Sequence, residues 1–243
     1  MDSWRFQAAD PEIFLHFEEQ GFAVIESVLD DAAVERLLNA IEEAVATDLG
    51  HARGDDAYAM RNLLRAVPAV RELAATPALR GLTEPVLGAG AFPVKGILFD
   101  KTPEANWKVP WHQDTTICVR ERVDLPGFGP WTMKDGVLNV QPPPVILAGI
   151  MTIRLHLDDC DADVGALQVL PGSHGAGRLD AARISTWREL APPVLCTVGR
   201  GGAVLMRPLT LHASSAARTP RHRRVVHLEF SAGTLPGGLA WAG

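Results

Sequence analysis

At about Ala91 the chain changes texture, and its two parts call for different kinds of structure. Before that point apolar residues recur at helical spacing. Residues 11–20 put Ile13, Phe14 and Phe17 on one face and stop at Gly21. A second helix, which either Asp30 or Asp31 can cap, presents Val34, Leu37, Leu38, Ile41 and Val45. Further helices are predicted over 67–75 and 77–87, and one short strand over 22–25. After Ala91 the pattern is of short β runs broken by Gly and Pro, at 93–100, 151–157, 166–169, 194–198, 203–206 and 223–230. Strands so punctuated point to an antiparallel sandwich or barrel. The expected fold is α+β, with residues 1–90 as helical support and 91–243 as a β-sandwich core.

Composition agrees with one globular domain. The chain has 243 residues, 47% of them apolar and 21% charged, enough for one sizeable core and too few for two. A net charge of −6 and a pI near 5.7 argue against a partner bound mainly through phosphates, so neither nucleic acid nor an anionic membrane is expected. The longest apolar stretch, 145–153, contains Gly149 and Thr152 and is far short of a membrane span. The first residues carry no basic region followed by an apolar run, so no secretory signal is visible. Cys118, Cys160 and Cys196 are widely spaced, without a Cys-x-x-Cys pair. They read as reduced thiols of a cytoplasmic protein rather than as a zinc site. The Pro-rich stretch 121–144 has little regular pattern and is either disordered or a lid. Its Phe128, Trp131 and Met133 either close over a substrate or pack on the sandwich.

Three features carry possible chemistry. In Trp111-His112-Gln113-Asp114, extended chain would turn His112 and Asp114 the same way. An imidazole nitrogen and a carboxylate oxygen suit divalent iron, manganese or zinc, and one more His would complete a two-His, one-carboxylate face. Alone, the motif reads more readily as a surface turn. His212, one hundred residues on, follows an apolar strand; alone it reads as a core histidine bonded to a carbonyl. The third feature is the basic run Arg218 to Arg224, leading into a strand. Alternation there puts Arg223, Val225, His227 and Glu229 on one face and Arg224, Val226, Leu228 and Phe230 on the other. The first face suits a polar cavity, where an arginine clamps a carboxylate bidentately. The second suits packing on helices. Pro171-Gly-Ser-His174 reads as a turn in which His174 caps or packs. His16, His51 and His222 read as surface residues, and Gly199-Arg-Gly-Gly202 as a tight connection between strands.

The order His-x-Asp, distant His, then Arg eleven residues further resembles the phytanoyl-CoA dioxygenase family. Trp111-His-Gln-Asp114 matches the family's metal motif, and Gly165-Ala-Leu-Gln-Val-Leu-Pro-Gly-Ser-His174 its Pro-Gly-Ser-His turn. His212 through Arg223 matches its distal metal and co-substrate segment, and Phe17 to Ile25 its opening strand. The resemblance implies a double-stranded β-helix, a jelly-roll or cupin-like core with the N-terminal helices packed on one sheet. It implies an oxidoreductase using Fe(II), 2-oxoglutarate and O2 to hydroxylate a small-molecule metabolite or natural-product intermediate, releasing succinate and CO2. His112, Asp114 and His212 become metal ligands, and Arg223 with Ser214 holds the distal carboxylate of 2-oxoglutarate. Gln113, Ile97 and Arg154 resemble other co-substrate contacts, and Trp131, His156 and Arg61 are candidates for the substrate. Arg154 stands where the family often has an aromatic, and Val164 where many members have Asn. Asp114 implies hydroxylation or another oxidation rather than halogenation, since related halogenases have Gly or Ala there. A cupin-type isomerase or hydrolase without 2-oxoglutarate, and a non-catalytic binding module, are the alternatives. Arg223 discriminates against the first, which needs no clamp for a dicarboxylate, and the presence of all three ligands and the clamp argues against the second.

Overall fold

A computed structural model describes residues 11–47 and 58–243. The readings of His51 and of the first residues lie outside them. Helix α1 (Pro11–Gln20) buries Phe17 and ends at Gly21, whose φ of +79° is left-handed. That glycine is required twice over, because a Cβ there would lie 2.3 Å from Nδ1 of His174. Strand β1 (Phe22–Ile25) follows, then α2 (Asp31–Thr47), capped by Asp30, whose Oδ1 accepts from the Ala33 N–H at 2.8 Å. The predicted face of α2 is buried at Val34, Leu37, Leu38 and Ile41. Strand β2 (Tyr58–Met60) precedes α3 (Leu63–Ala66), α4 (Pro68–Ala74) and α5 (Pro77–Leu87).

These helices cover a six-stranded antiparallel sheet. Its order is β1, β11 (Ala203–Met206), β8 (Ile150–His156), β13 (Arg223–Ser231), β3 (Phe92–Lys101) and β2. Met151, Ile153 and Leu155 of β8 and Val226, Leu228 and Phe230 of β13 pack against Leu37, Leu63, Val70, Leu73, Leu79 and Leu82 of the helices. The opposite face of the sheet looks inward on a second, four-stranded sheet. Its order is β10 (Val194–Cys196), β9 (Leu167–Val169), β12 (His212–Ser214) and β4 (Val109–His112). Two antiparallel sheets face to face, one backed by helices, make the double-stranded β-helix with N-terminal helices on one sheet.

A third sheet joins β5 (Ile117–Val119), β7 (Val137–Val140) and β6 (Trp131–Lys134). It revises the reading of 121–144, which contains the β6–β7 hairpin rather than patternless loop. The turn is Asp135-Gly136, with φ of 48° and 74°, the paired positive values of a type I′ hairpin. Helices α6 (Pro144–Ala148) and α7 (Ala181–Leu190) were likewise not expected; α7 buries no residue, so it shows no apolar stripe to detect. The Gly199–Gly202 connection is a tight turn, closed by a bond from the Gly202 N–H to the Gly199 carbonyl at 3.0 Å. Among the described residues no helix is long and apolar enough to cross a membrane.

Candidate active site

Strand β4 ends at His112 and β12 begins at His212, and the register sets the two directly opposite. Their ring centroids are 4.1 Å apart. Asp114, held by a bond from its N–H to the Pro208 carbonyl at 2.9 Å, turns its carboxylate between them. Oδ1 lies 3.8 Å from Nε2 of His112 and Oδ2 lies 3.7 Å from Nε2 of His212. The other ring nitrogens are committed: Nδ1 of His112 is 2.8 Å from the Pro110 carbonyl and Nδ1 of His212 is 2.9 Å from that of Thr210. A carbonyl only accepts, so both Nδ1 atoms carry the proton and both Nε2 atoms present lone pairs. Burial, opposed by Asp114, pulls His212 down to about 4, so it is neutral at neutral pH. Burial would raise the Asp114 carboxyl, but His212, His227, Lys95 and His112 hold it well below the ordinary range. Two lone pairs and a carboxylate therefore converge with no hydrogen among them, their ligating atoms all within 4.8 Å. A divalent cation suits such a set.

The triad opens on a cavity of about 130 Å³ between the two sheets, also lined by Arg223, Arg154, Ser214 and Ile97. Arg223 is 4% exposed; its Nη1 donates to the Gly165 carbonyl and its Nε is buried without a partner. Arg224 leaves the strand on the other face and grips Asp158 through Nε and Nη2 at 2.9 and 2.7 Å. The inward residues are thus those the alternation predicts.

Beside the triad a buried chain fixes its own protons. Nη1 of Arg154 lies 2.9 Å from Nδ1 of His227. A guanidinium only donates, so that nitrogen accepts and Nε2 of His227 carries the hydrogen, 3.3 Å from Oε1 of Glu229. Lys95 Nζ meets the same oxygen at 2.7 Å. Asp114, His227 and Glu229 also lie within 4.8 Å of one another. The nitrogens of His227 and Oε1 of Glu229 are already used, however, so this group is an ion-paired wall rather than a ligand set.

Several predicted residues are placed elsewhere. Gln113 points away from the cavity: its Nε2 donates to the Gly177 and Leu209 carbonyls at 2.9 and 2.7 Å, and its Oε1 accepts from the Leu179 N–H at 2.8 Å. It fastens the segment that carries His112 and Asp114. Trp131 packs in the small core around Ile117 and Val140, and Arg61 reaches the hairpin turn, 2.5 Å from Asp135. His156 shares the inner face of β8 with Arg154 but is fully buried and does not line the cavity. His16 and His222 are exposed, and His174 packs in a 3-10 turn with Nε2 3.1 Å from the Glu18 carbonyl. Lys95, Phe99, Trp107, Val109 and Leu167 line the cavity without having been singled out. Counting in twos from Ile97 along β3 finds Lys95 and Phe99, and then Lys101.

A family model described as phytanoyl-CoA dioxygenase (PhyH) matches residues 17–225. The chain belongs to the phytanoyl-CoA dioxygenase family. Among curated relatives it is similar to the L-proline trans-4-hydroxylase of Streptomyces griseoviridis, at 27% identity over 181 residues. That match covers 64% of this chain and spans only 60% of the relative's length. Among solved structures it resembles the non-heme alpha-ketoglutarate-dependent carbocyclase SnoK of nogalamycin biosynthesis, with a TM-score of 0.72 and 19% identity, covering 92% of this chain and 84% of that one. It also resembles HygX from Streptomyces hygroscopicus, solved with nickel and 2-oxoglutarate bound, with a TM-score of 0.67 and 20% identity, covering 93% and 88%. At these identities the structures establish the phytanoyl-CoA dioxygenase fold.

Proposed function

We propose that this family member is an Fe(II)- and 2-oxoglutarate-dependent dioxygenase, active as one unit, that hydroxylates a small molecule. The observation that carries the reading is the convergence of two imidazole lone pairs and the Asp114 carboxylate on one point, with an uncompensated guanidinium in the same cavity. His112, Asp114 and His212 would hold the iron. Iron with 2-oxoglutarate and O2 supplies the oxidation of a substrate C–H bond to an alcohol, with release of succinate and CO2. The chain's own residues do the positioning. The Pro110 and Thr210 carbonyls hold both imidazoles in the ligating tautomer. Arg223 and Ser214 take the distal carboxylate of the co-substrate, while Ile97 and Arg154 bound its path. Gln113 acts only by fixing the backbone between the two ligands. A relative named as a proline hydroxylase supports hydroxylation as the outcome. The net charge supports a small-molecule partner rather than nucleic acid or membrane, and the unpaired cysteines support a cytoplasmic setting.

Anaerobic addition of iron(II) and then 2-oxoglutarate should produce a weak visible charge-transfer band. His112→Ala and Asp114→Ala should each abolish the band and succinate formation while leaving thermal unfolding close to wild type. Near wild-type succinate formation by either variant would overturn the ligand assignment. No band from the wild-type protein at saturating ligand would overturn the reading as a whole.

A further inference from the structure

Behind Ser214, at the Arg223 end of the cavity wall, lies a cation to which the proposed reaction has so far given no part. Lys101, the last residue of β3, is the direct cross-strand partner of Arg223, and at 1% exposure it is as buried as the apolar core. Its Nζ donates to Oγ of Ser214 at 3.2 Å and to the Ser215 carbonyl at 2.6 Å. The Trp107 ring, which lines the cavity, lies 5.5 Å from the same nitrogen. Neither cation is neutralised: among the described residues Lys101 makes no ion pair, and Arg223 bonds only a carbonyl and a thiol. Like charges directly opposite on neighbouring strands repel, and buried charge without a counter-charge is costly. The strain shows in the lysine itself, which burial and Arg223 together pull down to about 7. An anion bound beside Arg223 would offset that repulsion.

The hydrogen-bond directions show how that anion would be met. In its ammonium form, which an anion in the subsite would favour, Lys101 only donates, so Ser214 Oγ then accepts from it and the serine's own hydroxyl hydrogen is left over. No acceptor for it exists among the described protein groups, and Ser214 lines the cavity. We propose that Lys101 is a positioning residue and second cation of the distal-carboxylate subsite, holding Ser214 as a donor to the co-substrate. The inference rests on the dioxygenase reading and extends it to a residue on β3.

The test uses the full-length, iron(II)-loaded enzyme and compares 2-oxoglutarate with 2-oxopentanoate, which keeps the 2-oxo acid but lacks the distal carboxylate. Lys101→Met should raise the apparent 2-oxoglutarate constant roughly tenfold or more, the value of one charge-assisted hydrogen bond. The maximal rate should fall far less, and the constant for 2-oxopentanoate should be unchanged. Ser214→Ala should raise the 2-oxoglutarate constant as well, and the double variant should be little worse than the worse single one. Lys101→Arg should recover most of the affinity. If the Met variant does not fold, Lys101→Gln, which keeps a donor and drops the charge, carries the same expectation. A Lys101 variant with wild-type 2-oxoglutarate constant, beside an Arg223→Ala whose constant is raised, overturns the role of Lys101 and leaves the dioxygenase standing. Equal losses for both 2-oxo acids would reduce Lys101 to a structural residue and overturn the inference too. A wild-type enzyme that forms no succinate from 2-oxoglutarate removes both.

Discussion

On β13 the side chains of Arg223 and Arg224 leave the strand in opposite directions, and the surroundings of each decide what its loss costs. Arg223 faces the cavity, where its Nε is buried and unpartnered; truncating a buried guanidinium that pairs with a carboxylate typically costs about 2–5 kcal/mol. Arg223→Ala should therefore raise the apparent 2-oxoglutarate constant roughly 30-fold or more. Arg223→Lys should recover only part, since a point charge does not reproduce the planar fork. Arg224 instead grips Asp158 on the helix side. Its removal should leave that constant unchanged and lower the stability by about 1 kcal/mol, the scale of a well-aligned, partly exposed pair. Steady-state constants and denaturant midpoints for the three variants check both halves; a large change in the 2-oxoglutarate constant at Arg224 with none at Arg223 would mean that the strand is turned over. The period of two makes this distinction readable in the sequence. The same rule started from Ile97 reaches Lys95 and Lys101, but a lysine in a strand reads as solvent-facing until its buried partners, Glu229 and Ser214, are known.

The elements that carry the site are the ones least visible in the sequence. The long strands β3, β8 and β13 show enough alternation to be recognised to within two residues at either end. Strands β4 and β12, with 4 and 3 residues, are too short for any period, and tertiary pairing alone makes them strands. The β6–β7 hairpin did announce itself, through the Asp135-Gly136 dipeptide between β-prone residues, a signal hidden among the prolines around it. The connection into β9 sets the floor of the distal subsite. Gly165 has φ of +75°, a Cβ on it would lie 2.4 Å from the Ser215 carbonyl oxygen, and its own carbonyl accepts from Arg223. A side chain there must strain the backbone, at about 1–2 kcal/mol, and push away the segment bearing Ser214. Gly165→Ala should lower the melting temperature and raise the 2-oxoglutarate constant together. Gly90→Ala, at a position with nothing within 4 Å, should change neither. Loss of stability with an unaltered constant would show that β12 yields without disturbing the subsite.

The whole molecule divides its labour across one sheet. The helix-facing side of the six-stranded sheet is mostly apolar and provides the core, whereas the inner side carries Lys101, Arg154, His156, Arg223, His227 and Glu229, all buried, beside the half-buried Lys95. Stability gained on one face offsets the cost of buried charge on the other. His156 measures that cost, because neither ring nitrogen has a partner. Burial first, then Arg154 and Arg223, holds its pKa down to about 3, against 6.5 for an unperturbed side chain. Above pH 6.5 the imidazole is neutral in both the folded and the unfolded chain and contributes no pH dependence. Below it the unfolded chain takes up a proton that the folded one refuses until about pH 3, so stability falls as pH falls through that window. The slope from this one group approaches about 1.4 kcal/mol per pH unit. His212, held to about 4, pulls in the same direction, so the difference between proteins isolates His156. His156→Leu should flatten the acid side of the stability curve by up to that slope, read from urea unfolding of the metal-free protein between pH 7 and 4. Parallel curves for the variant and the wild type would mean that the folded protein protonates His156 as readily as the unfolded chain does, and that the inner face is far better hydrated than its burial implies.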